Sequence, residues 1–209
     1  MAFTVLGKSH ARPRPVGSPQ PTSNVVAAPT SHLATKLNTF VRLTDRELAR
    51  LEELQSSPVR FEPGREMLYQ GEQSQFGYIL QSGWGCSFKI LPSGERQIIT
   101  FPIPGDCVGL RSVLLRTSDH SFSALTDVVV SRVEVPRMLQ LFTEYPHIGS
   151  AILWATSRDE AITVEHLASI GRRSSLERTA HFFLELGARL QLAGLSQNGE
   201  FACPEKVWI

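Results

Sequence analysis

At 209 residues, with a hydrophobic share of 42% and a charged share of 20%, the chain has the composition of an ordinary globular protein: one domain plus an appendage. A formal net charge of +1 at pH 7 excludes, on composition alone, the electrostatic footprint of a nucleic-acid or anionic-membrane binder. Cys86, Cys107 and Cys203 include no C-x-x-C pair, which argues against a disulfide framework, a structural zinc site and a cysteine-ligated iron–sulfur cluster.

Residues 1–38 carry Pro13, Pro15, Pro19, Pro21 and Pro29 among Ser, Thr and Ala without a sustained apolar period, and are expected to form a disordered arm. The apolar stretch at Ala2–Leu6 is too short for a signal peptide, and no segment approaches the ~20 apolar residues of a membrane span. The cytoplasm is the expected location, with no membrane partner. The first predicted helix is Thr44–Gln55. Thr44 and Glu47 have capping-box spacing, and Leu48, Leu51 and Leu54 recur at helical intervals that should face a core.

From Pro58 to Pro136 the texture changes to short β-like runs, with Gly64, Gly71, Gly83, Gly94 and Gly105 between them. Such runs predict an antiparallel barrel or jelly roll, and the clearest hairpin is FKILPSGERQIITF, with Pro92, Ser93 and Gly94 as turn residues. After Pro136 a short helix, RMLQLFTEY, ends before Pro146. The long helix that follows closes at Gly171. Ile148, Ile152, Ala155 and Ile162 form one stripe on it, and Leu153, Trp154, Val164 and Leu167 extend toward a second face. One face can lie on the barrel and the other needs a partner, most simply a second copy across a two-fold axis. The stripe Ile148, Ile152, Ala155 and Ile162 is taken as the dimer interface. Gly171, Arg172 and Arg173 make a break, and Ser174 and Glu177 form a second capping box. The final helix places Leu176, Ala180, Phe183, Gly187 and Leu190 on one stripe, with Gly194 as its terminator.

MLYQGEQSQFGYILQSG, with Gly71, Glu72, Tyr78, Ile79, Leu80 and Gly83, and LPSGERQIITFPIPGDCVGL, with Gly94, Arg96, Gln97, Phe101, Gly105 and Asp106, carry a glycine skeleton. Together with HSFSALTD (His120–Asp127) and GRRSSLERTAHFFLELGARL, it resembles the Crp/Fnr superfamily of bacterial transcription regulators over about residues 40–202. The resemblance implies an α+β fold: an antiparallel β-roll of cyclic-nucleotide-binding type flanked by helices, then a long dimerisation helix and one further helix. The expected division is an arm at 1–38, a sensor roll at 39–145, a dimerisation helix at 146–171, and at 172–209 the start of the family's DNA-binding domain. In similar regulators a Pro-Leu-Thr-Gln segment and two helices follow the G-x-F stretch. Here Phe201 and Pro204 are followed by Glu205–Ile209, so the helix-turn-helix is expected to be absent and DNA to be reached only through a partner's.

The resemblance also implies an effector pocket at Gly105, Asp106, Cys107, Val108, Gly109 and Leu110, with His120 and Ser121. The cassette departs from the cyclic-nucleotide pattern. It carries a shorter acid and one extra residue before Leu110, and Ser118–Ser121 stand where Arg-Ser/Thr-Ala is expected. Arg111 and Arg116 lie outside that context, and lysine does not replace an arginine fork on phosphate. The effector is left open, a cyclic nucleotide is disfavoured, and Asp106 reads as a turn residue after Gly105. Arg172, Arg173 and Arg178 read as a solvated hinge. The resulting expectation is the effector-sensing and dimerisation part of a Crp/Fnr-type regulator, not an enzyme, pairing with itself or with full-length relatives. A stand-alone ligand-binding module and a cupin-like metalloenzyme are the alternatives, though His120 stands alone and His147, His166 and His181 lack metal spacing.

Overall fold

The computed structural model of the chain describes residues 31–198 and 200–208. Its first element corrects the expected arm: α1 (His32–Asn38) is a helix, with Ser31 Oγ accepting the Ala34 N–H at 3.1 Å as its cap. Leu33, Ala34 and Leu37 are buried on it, a burial worth about 1.5–3 kcal/mol for each of the two leucines. The Pro-rich composition hid this turn of helix, because its apolar face is only as long as HLATKLN. The rest of the expected arm, residues 1–30, lies outside the described residues.

Helix α2 (Asp45–Leu54) begins at the expected capping box: Thr44 Oγ1 accepts the Glu47 N–H at 3.3 Å, and Glu47 Oε2 accepts the Thr44 N–H at 2.8 Å. Its leucines 48, 51 and 54 all face the core.

The roll consists of two four-stranded sheets. Strands β1 (Pro58–Phe61), β3 (Phe76–Ser82), β6 (Cys107–Val108) and β8 (Val128–Glu134) form one in the order β1-β8-β3-β6; β2 (Glu66–Leu68), β4 (Gly85–Ile90), β5 (Arg96–Thr100) and β7 (Ser121–Ala124) form the other in the order β2-β7-β4-β5. Every strand pairing is antiparallel. The expected hairpin is β4–β5, pairing Ile90 with Arg96 and closed by Gly94 at φ 87°. Leu68, Leu80, Phe122, Val128 and Val130 fill the space between the sheets. Gly85 lets them close: a Cβ there would lie 2.1 Å from Phe122 Cε2, and Phe122 is fully buried.

A short helix, α3 (Leu110–Leu115), interrupts the strands, followed after β8 by α4 (Val135–Glu144) and α5 (Pro146–Arg172). A second core lies outside the first sheet, where α1, α2, α4 and α5 cover Ile79 and Val133. Helix α6 (Ser175–Leu192) starts at the second capping box, Ser174 with Glu177. It stops at Gly194 (φ 71°), where the Leu195 N–H reaches Leu190 O at 2.8 Å in a Schellman-type closure. Its buried side is rotated from the expected stripe. Leu186, Arg189, Leu190 and Ala193 are buried, whereas Leu176 is 80% exposed. Beyond α6 the chain turns back on the roll: Phe201 packs beside Gly187, and Val207, in a 3₁₀ turn at Glu205–Trp208, is buried with Cys86, Phe88 and Phe101.

Candidate functional site

Asp106 lies at the centre of the site, in the loop between β5 and β6. Gly105 holds φ 92°, and a Cβ there would come within 2.9 Å of His32 O, so the glycine lets the start of α1 lie on the loop. The Asp106 N–H donates to Ile103 O at 3.0 Å, and Asp106 Oδ2 accepts the Ile103 N–H at 3.0 Å. To this extent Asp106 is the expected turn residue.

Its carboxylate does more than close the turn. Oδ1 is 2.8 Å from Lys36 Nζ of α1, and Oδ2 is 2.8 Å from an Arg189 Nη of α6. All three side chains are buried. Burial alone would push the Asp106 carboxyl up, but the Lys36 ammonium and the Arg189 guanidinium outweigh it and hold the pKa at about 2. Burial likewise opposes the charge on both cations, and Asp106 more than restores it, so both are raised. Arg189 also donates to Phe101 O at 2.9 Å and meets Glu185 Oε1 at 3.4 Å. Glu185 in turn pairs with His166 of α5, which raises the imidazole through that hydrogen bond.

The other expected pocket residues point several ways. Cys107, Val108 and Leu110 line an apolar cavity of about 30 Å³ between β3 and the helices, with Leu33, Leu54 and Met138 among its other walls. That volume holds no nucleotide. Burial pushes the Cys107 thiol up to about 12, which makes it an inert packing group. Gly109 takes φ 77° ahead of α3. Ser121 opens β7 of the other sheet, and His120 is the residue just before it. His120 Nδ1 lies 2.9 Å from Asp119 Oδ1, and Ser121 Oγ accepts the Gln70 N–H at 3.1 Å. Arg111, itself outside the Ser118–Ser121 stretch, is bound to Asp119 at 2.9 Å. Among the described residues, no group of three or more His, Cys, Asp or Glu side chains is placed to hold a metal ion.

The stripe chosen for a dimer contact needs correction. Ile148 is fully buried and Ile152 nearly so, in the core that α5 shares with α1, α2 and α4, and Ala155 packs against that core half-buried. Ile162 is half-buried on the same side. The chain's own roll and helices therefore use this face. Trp154 stacks on Phe40 with ring centroids 5.2 Å apart. Leu153, Val164 and Leu167 remain, at 67%, 59% and 72% exposure; around α5, Leu153 and Val164 lie about 160–200° from Ala155 and Ile162, and Leu167 about 120–140°.

Lys36 and Arg189 were missed in the sequence. Each had a signal: Lys36 sits among Leu33, Ala34 and Leu37, and Arg189 among Leu186, Leu190 and Ala193, a single cation on an apolar face in both cases. A buried cation needs an anion. Arg172, Arg173 and Arg178 converge on nothing: Arg173 pairs with Glu165 at 3.7 Å and Arg178 donates to Ser175 Oγ at 3.4 Å.

Comparison with known proteins places the roll in a wider group. The family model described as cyclic nucleotide-binding domain matches residues 58–145. The transcriptional activator protein Anr of Pseudomonas protegens is 27% identical over 135 residues, covering 65% of this chain and 55% of its own. The transcriptional activatory protein AadR of Rhodopseudomonas palustris is 30% identical over 143 residues, covering 67% of this chain and 58% of its own. The chain thus spans little more than half the length of these curated relatives, which are transcription regulators and not enzymes. The solved structure of FixK2 from Bradyrhizobium japonicum superposes with a TM-score of 0.60 at 28% identity, covering 71% of each chain. No described helix is long and apolar enough to cross a membrane.

Proposed function

Because the chain belongs to the Crp/Fnr family, with its cyclic-nucleotide-binding β-roll and C-terminal helices, we propose that residues 31–208 are the effector-sensing and dimerisation part of a cytoplasmic transcription regulator. The observation that carries this reading is α5. It spends one face on its own roll, through Ile148, Ala151 and Ile152, and leaves Leu153 and Val164 on the far side, with Leu167 beside them, in water. A helix apolar on two sides is stable only when both are covered. A second copy supplies the same face by symmetry.

The effector, in this reading, is not a cyclic nucleotide. The acid that would take a ribose hydroxyl already holds two of the chain's own cations, and Arg111 is bound to Asp119. Nor do these residues read DNA themselves. Sequence reading by this family's motif needs a positioning helix and a second helix in the major groove, and among the described residues α6 is followed by one 3₁₀ turn. DNA would then be read by a helix-turn-helix outside residues 31–208.

Selection of the 209-residue polypeptide against a random-sequence duplex library tests this. The expected result is no enriched motif, alongside a dimeric mass in solution. An enriched, salt-resistant motif bound by the polypeptide alone would overturn the division of labour.

A further inference from the structure

Three stretches far apart in the chain meet at Asp106. Lys36 lies 70 positions before it and Arg189 lies 83 after it, and each holds a different carboxylate oxygen at 2.8 Å. The meeting has further contacts. His32 Nδ1 of α1 lies 2.8 Å from Ala193 O at the end of α6, and Thr35 sits 3.4 Å from where a Cβ on Gly194 would be. Leu186 and Leu190 bury Ile103, two residues ahead of Gly105. The C-terminal half of α6 is therefore clamped between α1 and the Ile103–Asp106 loop. Its first turns are held less: Leu176 is 80% exposed, and the helix next meets the roll at Phe182, whose ring packs edge-to-face on Phe101.

We propose that Lys36, Asp106 and Arg189 form a latch that couples the loop leading into β6 and α3 to the position of α6, with α1 as its third member. The two oxygens of Asp106 make the latch divisible. If Arg189 leaves, the carboxylate keeps Lys36 as its counter-charge, so α6 can swing from the roll without leaving the loop acid bare. If the loop moves, both cations lose Asp106 together, and α1 and α6 loosen as one unit. Displacement of one loop thus reaches both ends of the described chain. This coupling goes beyond the proposed function and holds whether or not the roll takes an effector.

Hydrogen–deuterium exchange on the whole 209-residue chain tests it with Arg189→Gln and Asp106→Asn. Arg189→Gln is expected to speed exchange about tenfold or more in residues 182–195, while α1 and the strands β3 and β8 keep their protection, because local opening is confined to the released unit. Asp106→Asn is expected to open α1 and residues 182–195 together. Three results would overturn the latch: unchanged exchange in α6, an equal rise in β3 and β8, or loss of α1 protection in Arg189→Gln. Should Asp106→Asn fail to fold, Arg189→Gln alone decides, since it leaves the Lys36–Asp106 pair in place.

Discussion

Replacing Asp106 by asparagine keeps the size of the side chain and removes the one charge between two buried cations. Lys36 loses its hydrogen-bonded carboxylate and keeps only the longer-range charge of Asp159, and Arg189 keeps Phe101 O, Thr100 Oγ1 and Glu185 with the same distant Asp159 charge. Removing one partner from a buried ion pair costs about 3–5 kcal/mol, because the remaining charges stay desolvated. For a chain of this size each kcal/mol moves the melting temperature about 2–4 °C, so the variant should melt about 6–20 °C lower at neutral pH. The pH dependence gives an independent sign. A carboxyl held at about 2 instead of its ordinary value near 3.8 contributes about 2–3 kcal/mol of stability. That contribution is complete above about pH 5 and fades as pH falls through 4 toward 2. Urea unfolding followed by circular dichroism from pH 7 to pH 2, at fixed protein concentration and salt, should show the wild-type curve falling toward the variant's as acid is added. A loss below about 1 kcal/mol at pH 7, or a constant gap down to pH 2, would refute the buried triad.

Calorimetric titration with cyclic AMP and cyclic GMP should give no saturable heat, because Asp106 is already engaged and Arg111 is bound to Asp119. His166 should titrate above 6.5 by NMR. The protonated His166–Glu185 pair stabilises the contact of α5 with α6 below that pH and is lost as pH rises through the raised value, so Glu185→Gln should bring the imidazole back down. Gly85→Ala should cost about 1–3 kcal/mol in urea unfolding, since its Cβ would meet the buried Phe122 ring at 2.1 Å. Adding Phe122→Leu should recover part of that loss, and no recovery would mean the backbone rather than the ring is the obstacle.

Local signals in the sequence located what local forces decide. Both capping boxes, the β4–β5 turn and the break at 171–173 rest on residues three or four apart, and all were legible. What sequence reading assigned wrongly depends on distant partners. Periodicity found the stripe Ile148, Ile152 and Ala155 and a second face on α5, but it carries no label for which face meets the roll. Asp106 follows a glycine and therefore read as a turn, while its two cations come from opposite ends of the chain. Lys36 was lost in a Pro-rich neighbourhood whose last turn folds only because Leu33 and Leu37 find a core built by α2, α4 and α5. The residues after Pro204 read only as a lead-in without its motif, and Val207 acquires its place only once Cys86, Phe88 and Phe101 present a surface.

The dimer seam is the central claim, and sedimentation equilibrium of the 209-residue chain against a Val164→Glu/Leu167→Glu variant tests it most directly. Both side chains are already exposed, so the variant should fold and melt as the wild type does within about 0.5 kcal/mol once dimerisation is discounted. At about 10 μM, well within the reach of a micromolar dissociation constant, the wild type should sediment as a dimer and the variant as a monomer. A wild type that remains monomeric, or a variant that remains dimeric, would contradict the account.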